Sequence, residues 1–146
     1  MPSILLDTNV LVYSFDLRHT EMQKQAKALI YRTESVGAAC LSVQCLGEFF
    51  CVTTSKLHLP PAEMYTQVNE WQHAFPVYAL TPQIILEAAR GVRDHKLPYY
   101  DAQIWAAARL NQIPLVFSED FQDGQTLEGV RFVNPFSEPF DMDEWL

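Results

Sequence analysis

Five apolar runs, each too short to make a stable helix, recur along the chain with helical patterns between them. They are "SILL" (3–6), "AACLS" (38–42), "PVYAL" (76–80), "PLVFS" (114–118) and "VRFVNP" (130–135). Residues 8 to 15 read as a short helix, and in "TEMQKQAKALIYRTES" (20–35) Met22, Ala26, Leu29 and Ile30 repeat at helical spacing. Ser42 is a natural N-cap for a helix over 43–56. "LPP" (59–61) breaks the chain before a helix over 62–74, and Thr81-Pro82 joins a capping hydroxyl to a proline at the first helical position. That helix should reach His95, and "LPYYDAQIWAAARLNQ" (97–112) restarts after Pro98. Buried strands alternating with helices predict an α/β fold: a mostly parallel central sheet of about four to five strands with helices on both faces. Such sheets bind ligands beyond the carboxyl ends of their strands.

A chain of 146 residues, nearly half of them apolar, is long enough for one domain with a real core. No apolar run approaches the roughly 18 residues of a membrane span. No basic stretch leads into an apolar one at the N-terminus, so the expectation is a soluble cytoplasmic protein without a membrane partner. Cys40, Cys45 and Cys51 match neither a redox pair nor a zinc framework and are expected to be small buried hydrophobes. His19, His58, His73 and His95 are scattered without ligand spacing. The net charge of −8 argues against a polyanionic partner until its distribution is considered. Residues 134–146 hold Glu138, Asp141, Asp143 and Glu144 and no base, which leaves 14 acids against 10 bases, a net of −4, in residues 1–133. One or two divalent cations on acidic ligands would cancel much of that remainder.

Four acids follow or interrupt apolar segments. Asp7 ends the first strand, Glu48 interrupts the apolar helix "SVQCLGEFFCV", Asp101 opens "DAQIWAAA" in a first helical turn, and Asp120 lies just past "PLVFS". Each has a plain structural alternative: a helix cap for Asp7 and Asp101, a salt bridge or solvated stripe for Glu48, a turn residue for Asp120. The combination is more telling. Carboxylates converging at one sheet edge raise each other's pKa, and a hard divalent cation removes that conflict. Mg2+ or Mn2+ on oxygen ligands keeps waters that serve as nucleophile, so an all-carboxylate site points to phosphodiester hydrolysis without a covalent intermediate.

"LLDTNVLVYSFD", "CLGEFF", "YYDAQIWAAA" and "LVFSEDFQDGQ…GVRFVNPF" occur in an order that strongly resembles the PIN-domain ribonucleases, and among them the VapC-type toxins of toxin–antitoxin pairs. The resemblance covers residues 3 to 136. It implies that Asp7, Glu48, Asp101 and Asp120 form an acidic metal pocket for Mg2+ or Mn2+. Asn9 would orient Asp7, with Thr8 a weaker candidate, and Ser118 matches the hydroxyl before the fourth acid, for which Glu119 and Asp123 compete. It further implies endonucleolytic cleavage of RNA, a homodimer, and a small cognate antitoxin protein in a groove beside the site. The division expected is a PIN-like nuclease domain over 1–136 and an acidic C-terminal tail over 137–146. That tail reads as a disordered end or as an acidic flap over a basic surface.

Arg90, Arg93 and Lys96 cluster near one helix end and are candidate RNA contacts; a solvated face is the alternative. Tyr99, Tyr100 and Trp105 are candidates to stack a base, although Trp105 in an Ala-rich helix reads as core, and Phe49-Phe50 as core or dimer interface. A catalytically silent PIN-like scaffold for RNA or protein is the competing class, yet it should have lost one of the four acids. An aspartate-based phosphatase needs a second Asp two positions after the first, and Asn9 stands there. A receiver-type domain would want adjacent acids near the end of the first strand and a Lys after a late strand, and this sequence shows neither.

Overall fold

The computed structural model describes residues 2–146. Its sheet has six strands in the order β3-β2-β1-β4-β6-β5. β1 (Ile4–Leu6), β2 (Ala39–Ser42), β3 (Val77–Tyr78), β4 (Leu115–Phe117) and β6 (Val130–Val133) run parallel to their neighbours. β5 (Thr126–Leu127) pairs antiparallel with β6 at one edge. The count exceeds the sequence expectation because β5 is two residues in a tight hairpin, with Glu128 at φ 47 and Gly129 at φ 84, too short for a periodicity to register.

The helices are α1 (Thr8–Tyr13), α2 (Thr20–Val36), α3 (Val43–Ser55), α4 (Pro61–Ala74), α5 (Pro82–His95) and α6 (Tyr99–Leu110). Their starts follow from local chemistry. Ser42 Oγ accepts from Cys45 N, Thr81 Oγ1 accepts from Ile84 N, and proline opens α4 and α5. α2 stops at Gly37, whose left-handed φ of 68 lets its N–H reach back to the carbonyls of Thr33 and Glu34. None of the helices is long and apolar enough to cross a membrane.

β1 to β2 to β3 step one way across the sheet, and the chain then returns to lay β4 on the other side of β1. That reversal places the switch point between β1 and β4, where a crevice opens at the carboxyl ends. β1 is buried along its length, and Leu6 sits in register with Phe117, so the residues after them, Asp7 and Ser118, emerge side by side.

α5 and α6 form the tightest helix pair. A Cβ at Gly91 would stand 2.9 Å from the ring of Trp105, which is fully buried as its Ala-rich surroundings suggest. Phe49 is fully buried and Phe50 partly exposed. Cys40 and Cys45 are buried, but Cys51 is exposed, contrary to the expectation for all three, because it sits six residues after Cys45 on another face of α3. The tail is packed rather than frayed. Phe140 and Trp145 meet Phe117 edge-on at 5.6 and 6.0 Å, Trp145 covers Arg131, and Asp143 pairs with Arg32. Phe117 immediately precedes Ser118, so these aromatics buttress the strand end that carries the site.

Candidate active site

Asp7 both caps α1 and forms part of an acidic cluster, so the two readings of it coexist. Its Oδ1 accepts from Thr8 N at 2.7 Å and its Oδ2 from Ser118 Oγ at 2.8 Å, in a nearly solvent-free position. Burial pushes its carboxyl up to about 7; the bonds from Ser118 and Thr8 oppose that shift, while the charges of Asp120 and Glu48 add to it. Asp101, in the first turn of α6, is raised as well, by burial and then by Asp120 and Glu48. These mutual repulsions are the electrostatic trace of four carboxylates gathered at one place. β1 supplies Asp7, α3 supplies Glu48, α6 supplies Asp101, and the loop after β4 supplies Asp120.

Neutral donors hold this cluster in place. Thr8 Oγ1 donates to Glu48 Oε2 at 3.1 Å, and Gln44 Nε2 donates to Glu48 Oε1 at 2.7 Å. Asn9 Nδ2 donates to Ser118 Oγ at 3.0 Å and to Asp120 Oδ2 at 3.2 Å. Asn9 therefore steadies Asp120 directly and Asp7 through Ser118, while Thr8 serves Glu48 rather than Asp7 through its hydroxyl. Ser118 Oγ also accepts from Asp120 N at 3.0 Å.

The competitors of Asp120 are engaged by other partners, Glu119 from within the same cleft. Glu119 accepts from Tyr13 Oη at 2.7 Å, and Asp123 accepts from Asn134 N at 2.9 Å. The charge of Asp120 helps to raise both Asp7 and Asp101.

Among the described residues, no Lys, Arg or His is hydrogen-bonded or ion-paired to Asp7, Glu48, Asp101 or Asp120. Nor do three such acids, histidines or cysteines stand close enough to enclose a metal ion unaided. An all-oxygen donor set without a counter-cation, too open to close a shell by itself, fits a cation that retains most of its water, as Mg2+ and Mn2+ do. It does not fit a tightly caged structural metal. Thr8, Asn9, Glu48 and Asp120 line an open cleft of about 290 Å3 together with Arg18. Arg18 grips the buried Asp16 through Nε and Nη2, both at 2.9 Å.

The structure does not bring Arg90 and Arg93 into that cleft; they line a separate hollow beside Leu86 and Leu110. Arg90 is spent on Glu87 and on Glu128, at 2.8 Å, and Arg93 on Asp94 at 2.7 Å. Lys96, exposed just past the end of α5, folds back on that helix, its Nζ donating to Arg93 O at 3.2 Å. Of the aromatics, Tyr100 is 67% exposed beside Asp101, and Trp105 is core. Sequence reasoning missed Gln44, Gln103 and Arg18. A neutral amide within a helix has no distinguishing pattern, and the Gln44–Gln103 contact spans 59 positions.

No curated protein matches the chain. Among solved structures, a toxin–antitoxin complex from Klebsiella pneumoniae aligns at TM-score 0.68 with 22% identity, covering 92% of this chain and 98% of that one. A DNA-bound VapBC from Salmonella typhimurium aligns at 0.65 with 18% identity, covering 90% and 97%. Mycobacterium tuberculosis VapC20, a Sarcin-Ricin loop cleaving toxin, aligns at 0.63 with 20% identity, covering 88% and 99%. At these identities the likeness is one of fold. The PIN domain family matches residues 4–122, most of the chain, with strands β1 to β4 and all four clustered acids, and the chain belongs to that family.

Proposed function

We propose that this protein is a divalent-metal-dependent endoribonuclease and the toxin of a toxin–antitoxin pair. One observation carries the reading: Asp7, Glu48, Asp101 and Asp120 converge beside the switch point of the sheet, where the charges of Glu48 and Asp120 bear on both Asp7 and Asp101 and none of the four is paired with a base. These four would hold Mg2+ or Mn2+. The bound ion supplies an activated water and positive charge for the phosphoryl oxygens. The chain's own side chains do the rest. Ser118 and Thr8 N fix both oxygens of Asp7, Thr8 and Gln44 fix both oxygens of Glu48, and Asn9 fixes Asp120. Asp101 accepts no hydrogen bond from another described residue, which leaves its Oδ atoms free to accept one from a water.

Arg18 is the cation on the cleft wall, preset by Asp16, and would meet a substrate phosphate. Tyr100 would stack a base beside Asp101. A cognate antitoxin and a second copy of the chain are the proposed partners. The complexes among the similar folds support the first, and the exposed apolar side chains Ile85, Leu86 and Leu110 support the second.

Purified protein with Mn2+ should cleave RNA, and Asp7→Asn, Asp101→Asn or EDTA should abolish cleavage. Activity that survives both substitutions or the chelator belongs to a contaminant and overturns the assignment. A wild-type protein that binds RNA without cutting it supports the silent scaffold instead.

A further inference from the structure

Gln44 is the hub of a hydrogen-bond relay that ties together the two helices carrying Glu48 and Asp101. Its Nε2 donates to Glu48 Oε1 at 2.7 Å and to the Tyr100 carbonyl, one residue before Asp101, at 3.2 Å. Its Oε1 accepts from Gln103 Nε2 at 2.7 Å. Gln103 lies two residues past Asp101 on α6 and is only 5% exposed, so a long polar side chain is buried in the core to make this contact. Burying an amide is costly unless it is hydrogen-bonded, and its recorded donor bond goes to Gln44.

The chemistry of the hub matters as much as its geometry. An arginine at this position would hold Glu48 equally well but would neutralise it. A glutamine orients the carboxylate and leaves its full charge for a cation. Thr8 holds the other oxygen in the same neutral manner, so Glu48 is fixed from both sides without a counter-charge.

We propose that Gln44, braced by Gln103, is the positioning residue that sets Glu48 opposite Asp101 for divalent-cation binding. This rests on the nuclease reading of the site. Partners of this kind, one bond removed from a ligand, typically change metal affinity about 10- to 100-fold when lost.

The test is Mn2+ calorimetry, RNA cleavage and thermal melting on wild type, Gln44→Met and Gln103→Met. Methionine keeps the length and removes the hydrogen bonds. Gln44→Met should weaken the Mn2+ Kd about tenfold, with the RNA KM unchanged and activity recovered by excess Mn2+. Gln103→Met should shift the Kd the same way by a smaller factor, about threefold. If Gln44→Met does not fold, Gln103→Met decides alone. A folded variant with a lower Tm but the wild-type Mn2+ Kd overturns the proposal and makes the relay structural glue. Wild-type protein that neither binds Mn2+ nor cuts RNA overturns the nuclease reading itself, and the proposal with it.

Discussion

Two clusters of acids in this molecule are wired in opposite ways. On α5 and the β5–β6 turn, Glu87, Asp94 and Glu128 are bound by Arg90, Arg93, Arg109 and His95. Hydrogen bonds from these bases hold all three carboxyls below their ordinary values: Arg90 chiefly for Glu87, Arg93 for Asp94, His95 for Glu128. In the cleft, Asp7, Glu48 and Asp120 receive hydrogen bonds from Ser118, Thr8, Gln44 and Asn9, none of which carries charge, and Asp7 and Asp101 are pushed up. In the first arrangement every carboxylate is paired with a base, which serves stability. The second has no base paired to it, and the proposed cation site rests on that difference.

The largest expected effect is on chemistry. Asp101→Asn should cut RNA cleavage by about 1000-fold or more, since a bound metal supplies several kcal/mol and each 1.4 kcal/mol is a decade. Glu87→Gln, in the other cluster, should leave cleavage unchanged while lowering stability by about 2 kcal/mol, because Arg90 and Arg109 lose their half-buried partner. Equal loss of cleavage in both variants would erase the distinction between the clusters.

Acidity sharpens it further. A carboxyl raised from 3.8 to about 7 by folding means that the folded state binds a proton the unfolded chain has released. Metal-free protein should therefore lose stability as pH rises from about 4 to about 7, with a ceiling of about 4 kcal/mol at 1.4 kcal/mol per unit. Asp7→Asn should remove most of that slope, leaving the smaller part due to Asp101, and melt higher than wild type at pH 8 in EDTA. Urea unfolding across this range is the measurement; a wild-type profile parallel to that of Asp7→Asn would contradict the burial argument.

Much of this architecture is legible in the residues. Asp7 betrays itself by ending an apolar strand on a charge, Glu48 by interrupting an apolar helix, and Ser42 and Thr81-Pro82 by cap chemistry that is purely local. What escapes is whatever depends on partners far along the chain. The commitment of Arg90 to Glu128 spans 38 positions, so a basic helix end that looks ready for phosphate is already occupied. The different engagements of Asp120 and Glu119 turn on where Asn9 and Tyr13 reach, and the order of the tail turns on the aromatic face of Phe117. That these acids end strands or interrupt apolar helices is readable from the sequence; the hydrogen bonds that hold them are not.

Gly91→Ala is expected to have a smaller effect, one that passes through the frame. A methyl 2.9 Å from Trp105 should cost about 1–3 kcal/mol and loosen the α5–α6 pair that presents Asp101. Asp94→Asn should be nearly silent in a thermal melt, because its pairs with Arg90 and Arg93 lie at the surface.

Mn2+ calorimetry on wild type, Asp7→Asn and Glu87→Gln at one pH is the most direct test of the claim that the cleft acids, and not their paired counterparts, are a cation site. The account predicts saturable binding by wild type and Glu87→Gln and none by Asp7→Asn. Binding by Asp7→Asn at the wild-type affinity would contradict it.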